Sequence, residues 1–128
     1  MFLDGTKTKF SWIIQTGNET KKEFREHPPA YYSGHKLDVK NDEQSKFIAL
    51  HVGLYWGIGV FIIKDGDTID VMCDSKKMYD ILNSKHKTSD QIINDKIKFV
   101  NLFIEQRKLI VNYHLIAIED NLASELIR

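Results

Sequence analysis

Residues 10–16, FSWIIQT, bring aromatic and β-branched side chains into a short run that ends at Gly17 and Asn18, the pattern of a strand entering a turn. Residues 21–27 are placed to return as its hairpin partner. Pro28 and Pro29 cannot donate backbone hydrogen bonds, so regular pairing stops there and residues 30–40 form a connection with a short extended piece. Asn41 or Asp42 then suits a helix N-cap. Acidic residues follow in the first turn, and Phe47, Leu50 and Leu54 recur at helical spacing, which predicts a helix to about Gly57. The short apolar run at 60–64 fits either a continued helix or a strand. Asp65, Gly66 and Asp67 make a turn, after which residues 68–73, TIDVMC, form a strand that delivers Asp74. A short helix is predicted over 77–83, with Ser75 near its start. A longer one opens at Thr88 or Ser89 and runs to about residue 106, carrying Ile92, Ile93, Ile97, Val100 and Ile104 near one face. A strand over 109–118 and the first turns of a terminal helix over 121–128 complete the series.

At 128 residues and 14.9 kDa the chain suits one domain, spanning 1–128, and is too short for two ordinary ones. Its hydrophobic fraction of 42% is globular, and seven glycines and two prolines argue against disorder and fibrous repeats. Eighteen basic residues balance eighteen acidic ones, so any affinity for nucleic acid must come from local patches. One such excess lies over residues 75–108, where eight Lys or Arg face four Asp or Glu, a local balance of +4. Cys73 is alone, which rules out an internal disulfide and leans toward a reducing compartment. Neither a secretory leader nor a stretch of 18 apolar residues is found, so the expectation is a cytoplasmic protein without membrane contact.

Chemistry enters with two acids at strand ends: Asp4 in Phe2-Leu3-Asp4-Gly5-Thr6 and Asp74 in Val71-Met72-Cys73-Asp74-Ser75. With the order of elements, these resemble the ribonuclease H superfamily, whose first strand carries D-G-S/T and whose later strand ends in D-S before a helix. The likeness runs through nearly the whole chain. The strand Phe10-Ser11-Trp12-Ile13-Ile14 follows as the second strand would. Ala49-Leu50 and Gly53-Leu54 are similar to the first helix's A-L-x-x-G-L, and the stretch from Ile118 to Glu125 is similar to the terminal R-E-x-N-x-x-A-D. The resemblance implies an α/β fold: a mixed central sheet, with an antiparallel hairpin and parallel strands, flanked by helices.

The same resemblance implies a function. In that superfamily four carboxylates hold two divalent cations, Mg2+ or Mn2+, which activate a water and stabilise the leaving oxygen in phosphodiester cleavage. Carried over by position, Asp4 is the first ligand and Asp74 the third. Glu125 takes the place of the last acid, with Ser124 as the competing match if the tail shifts by one. Gly5, Thr6, Ser75 and Lys46 fall at substrate-side positions. Lys46 also stands where the family has its catalytic glutamate, and an ammonium there repels the cations that the other carboxylates attract. Glu43, one turn earlier, is the substitute fourth acid. The leading expectation is therefore a metal-dependent endonuclease acting on the RNA strand of an RNA–DNA hybrid. The competing one is a module that kept the fold, lost the chemistry and binds nucleic acid or protein. His27, His35, His51, His86 and His114 show no metal-ligand spacing, and Gly57-Ile58-Gly59 lacks the Lys-Ser/Thr of a phosphate loop.

Overall fold

The computed structural model describes residues 1–28, 39–84 and 87–128. Most of the connection expected over 30–40 lies outside these, as do His35, Lys85 and His86. Strand β1 (Phe2–Gly5) pairs antiparallel with β2 (Lys9–Gln15), which pairs antiparallel with β3 (Thr20–Glu26). The turn between β1 and β2 is held by Thr6, whose Oγ1 accepts from the backbone N–H of Lys9 at 3.1 Å. Helix α1 (Asp42–Gly59) carries the chain across to β4 (Thr68–Cys73), which runs parallel to β1. Helices α2 (Lys76–Ser84) and α3 (Gln91–Arg107) lead to β5 (Ile110–Leu115), parallel to β4. The sheet order is β3-β2-β1-β4-β5, a mixed sheet in which a hairpin and two parallel strands share β1. This is the arrangement expected from the sequence.

Helix α1 packs across β1 and β2 and against α3. Asn41 is its N-cap: the side chain accepts from the backbone N–H of Gln44, and Asp42 and Glu43 in the first turn complement the positive end of the helix dipole. Every residue from Gln44 to Leu50 is buried, so this segment is enclosed on all sides. The core gathers Leu3, Trp12, Phe47, Leu50, Leu54, Val71, Met78, Ile93 and Val100 from the sheet and all three helices. Among the described residues no helix is long and apolar enough to cross a membrane.

Three expectations change. Residues 60–64 are neither helix nor strand: Phe61 adopts a left-handed φ of 63°, which ends α1 and turns Ile62 and Ile63 back into the core. Helix α3 is capped by Asp90, not Thr88 or Ser89, because the Asp90 side chain accepts from the backbone N–H of Ile93, while Thr88 Oγ1 is turned toward Asp90 and Asn94. The tail is not an α-helix. It forms two short 3-10 segments, Ile118–Asp120 and Leu122–Leu126, because Asn121 accepts from the N–H of Ala123 and restarts the chain between them. The second segment packs on the sheet face opposite α1, against β1, β2 and β3.

Candidate functional site

Adjacent parallel strands β1 and β4 bring Asp4 and Asp74 to the same end of the sheet. Both carboxylates converge on one ammonium. Lys46 Nζ donates to Asp74 Oδ1 at 2.8 Å and lies 3.9 Å from Asp4 Oδ1. The Lys46 side chain is 11% exposed, that of Asp74 3% and that of Asp4 0%, so the cluster is shielded from water. Lys46 reaches it because the second turn of α1 crosses directly over β1, where its aliphatic stem lies in the core and its charged head meets the strand ends.

A second cation completes the group. Arg128 Nε donates to Asp4 Oδ2 at 2.7 Å and its Nη2 donates to Oδ1 at 3.2 Å, a two-pronged grip on one carboxylate. Asp4 also accepts from Ser124 Oγ at 2.8 Å and from the Gly5 N–H at 2.8 Å. Burial raises the Asp4 pKa, but the hydrogen bonds from Arg128, Ser124 and Gly5, with the guanidinium charge, outweigh it and hold the carboxyl below its ordinary value. Asp74 is completed by Asn121, whose Nδ2 donates to Asp74 Oδ2 at 3.0 Å and to the Leu3 carbonyl at 2.8 Å.

The other residues singled out in the sequence fall around this pair. Glu43 faces the β4–α2 junction, where Ser75 Oγ donates to its Oε1 at 2.7 Å; its Oε2 is buried without a partner. Ser75 Oγ accepts from the Met78 N–H and so caps α2. Gly5 lies under α1 and Thr6 serves the β1–β2 turn. Glu125 is exposed, and it is the neighbouring Ser124 that hydrogen-bonds Asp4, beside Arg128. Cys73, buried beside the cluster, has its thiol pushed up to about 12 by burial and then by Asp74 and Glu43, which makes it inert rather than nucleophilic. Arg128 has no counterpart in the sequence reading; Asn121 was visible there only as the asparagine of the terminal motif.

Mg2+ or Mn2+ needs several oxygens free to coordinate it. Here Asp4 and Asp74 are each held by a fixed cation, Glu125 is exposed, and among the described residues no three His, Cys, Asp or Glu side chains come together in an arrangement that could hold a metal ion. The donor set does not fit the two-metal centre that the resemblance implies. Of the expected ligands Asp4, Asp74 and Glu125, the structure brings the first two together, each beside a cation of the chain, and leaves Glu125 exposed. Away from the cluster, an open cleft of about 790 Å³ lies between α2, α3 and β5, with Lys87 and Lys98 among its lining residues. Lys76, Lys77, Arg107 and Lys108 are also exposed on this part of the chain.

No protein-family model matches the chain, and no curated protein matches it. Solved structures do. The chain is similar to ribonuclease H1 from the halophilic archaeon Halobacterium salinarum, with a TM-score of 0.72 and 14% identity, over 97% of this chain and 89% of that one. The N-terminal RNase H domain of rv2228c from Mycobacterium tuberculosis, solved as a fusion with maltose-binding protein, gives 0.67 and 14%, over 97% and 88%. LC11-RNase H1, solved in complex with an RNA/DNA hybrid, also gives 0.67 and 14%, over 95% and 84%.

Proposed function

From a chain that has the RNase H fold, we propose a module that binds nucleic acid of the RNA–DNA hybrid or RNA class and does not cut it by two-metal chemistry. One observation carries this reading: Lys46 Nζ hydrogen-bonds Asp74 and sits 3.9 Å from Asp4, in the middle of the acidic pair that such chemistry would use. A fixed ammonium there opposes the approach of a divalent cation. Nucleic acid is the favoured ligand because a similar fold is seen on an RNA/DNA hybrid in LC11-RNase H1. The exposed lysines and arginine of α2, α3 and the turn after α3 supply phosphate contacts without needing metal.

A second reading, the hydrolase, draws on the convergence of Asp4 and Asp74 at one end of the sheet, with Glu43 hydrogen-bonded to the Ser75 that follows them. It requires Lys46 and Arg128 to release both carboxylates, with Glu43 and Glu125 completing a set for Mg2+ or Mn2+.

One experiment separates the two. A labelled RNA–DNA hybrid, duplex RNA, single-stranded RNA and duplex DNA are titrated with the full chain in EDTA, and then incubated with millimolar Mg2+ or Mn2+. The expected result is binding to hybrid or RNA in EDTA, weakening with salt, and intact strands after incubation with either metal. Cleavage that is lost in Asp4→Asn establishes the hydrolase instead. Absence of binding to all four ligands removes the nucleic-acid reading.

A further inference from the structure

Resting on the reading of a module that does not cut, we infer that Lys46 and Arg128 are built-in counter-ions that replace bound divalent cations, and that the carboxylate pair becomes a divalent-cation site once the Lys46 ammonium is removed. The charges balance residue by residue. Asp4 and Asp74 bring two negative charges into a region where neither side chain is more than 3% exposed, and Lys46 and Arg128 return two positive ones. Carboxylates brought together out of water repel and lose hydration, so the fold needs cations beside them whether these come from solvent or from the chain. This chain supplies its own. Lys46 binds Asp74 and reaches toward Asp4, whereas Arg128 grips Asp4 and lies 3.7 Å from Asp42 at the start of α1.

The geometry also explains why an ion from solvent would be turned away. The oxygens best placed to coordinate it, Asp4 Oδ1 and Asp74 Oδ1, are the two that face Lys46 Nζ. A dication bridging them would have to stand against the ammonium. Removal of Lys46 reverses the balance: two buried carboxylates remain with only the partly exposed guanidinium of Arg128 as counter-charge, Asp74 Oδ1 loses its donor, and the pair can draw in a hard cation beside the Asp4 oxygen that Gly5 and Arg128 still hold.

The test follows thermal unfolding of the full chain by circular dichroism in EDTA and in millimolar Mg2+ or Mn2+, with Mn2+ binding measured by electron paramagnetic resonance. Wild type is expected to unfold at the same temperature in all three solutions and to bind no Mn2+. Lys46→Met is expected to unfold at a lower temperature in EDTA, to recover part of the loss in Mg2+ or Mn2+, and to bind Mn2+; adding Asp4→Asn should abolish the recovery. A metal-dependent rise in wild type overturns the inference, and so does a folded Lys46→Met that ignores both metals. If Lys46→Met does not fold in either solution, Lys46→Gln is measured in its place, because it removes the charge and keeps a hydrogen-bond donor on the same side of Asp74. Metal-dependent stabilisation of Lys46→Gln then supports the inference, and its absence overturns it. Failure of wild type to bind nucleic acid would remove the functional reading above and leave this result standing.

Discussion

Gly5 shows how little room the site leaves. A Cβ placed there would stand 2.5 Å from Ser45 Oγ and 2.6 Å from the Ser45 backbone carbon, so α1 rests on β1 through a contact that only glycine permits. Gly5→Ala is expected to cost about 1–3 kcal/mol, the usual penalty of overpacking, and to move Lys46 away from Asp74, which chemical denaturation and the Asp74 carboxyl NMR shift would report. A different residue governs acid sensitivity. The His51 ring stacks on Phe99 and Phe103 at centroid distances of 5.0 and 5.6 Å, and its Nδ1 is buried without a partner. Burial first, and then the charge of Lys96, lower its pKa from 6.5 to about 4. As pH falls below 6.5 the unfolded chain takes up a proton that the folded chain refuses. The stability His51 contributes is therefore complete above that value and drains away toward pH 4. His51→Phe keeps the stacking and is expected to flatten the stability profile across this window, as measured by urea unfolding at successive pH values. Asp4 acts below it: its pKa is lowered, so its contribution is complete above 3.8 and is lost as pH falls through the reduced value.

Helix starts in this chain are coupled rather than independent. Asp90 Oδ1 caps α3 by accepting from the Ile93 N–H at 3.2 Å, while its Oδ2 accepts from Gln44 Nε2 at 2.8 Å; Gln44 Oε1 in turn accepts from the Lys40 N–H. Asp90→Ala is expected to cost about 2 kcal/mol, roughly half from the cap and half from the Gln44 hydrogen bond, and to lower amide protection at the start of α1 as well as α3 in hydrogen exchange. The same elements show what could be read from sequence and what could not. The β2–β3 hairpin, α1 from Asn41 and the strand delivering Asp74 all carry local signals of apolar periodicity, turn residues or caps, whereas β1 was legible through the family motif around Asp4. The tail does not. Leu122, Leu126 and Ile127 have helical spacing, but Asn121 and Ser124 spend their side chains on the chain's own backbone and on Asp4, and the segment settles into 3-10 turns. At the site, Asp4, Asp74 and Lys46 were legible through the family motif. Arg128 was not, because a salt bridge between residues 124 positions apart leaves no spacing to recognise.

Contacts that join the tail to β1 and β2 run through the whole molecule. Asn121 Nδ2 donates to the Leu3 carbonyl across 118 residues, Ser11 Oγ donates to the Ala123 carbonyl across 112, and Arg128 meets Asp4 across 124. These bonds seal the sheet face opposite α1, and they have a kinetic meaning. Closing a loop of that length is entropically costly, so such contacts form after the hairpin and the helices have collapsed around β1. Asn121, buried at 4% exposure and bonded to both strands of the site, should then have a φ-value near zero. Asn121→Ala is expected to lose about 2 kcal/mol, and nearly all of it should emerge as roughly thirtyfold faster unfolding with an almost unchanged refolding rate in stopped-flow chevrons. The tail thus works as a latch on the native state: it adds little to the speed of arrival and sets how long the molecule stays folded, and with it how long Asp4 remains shielded from solvent.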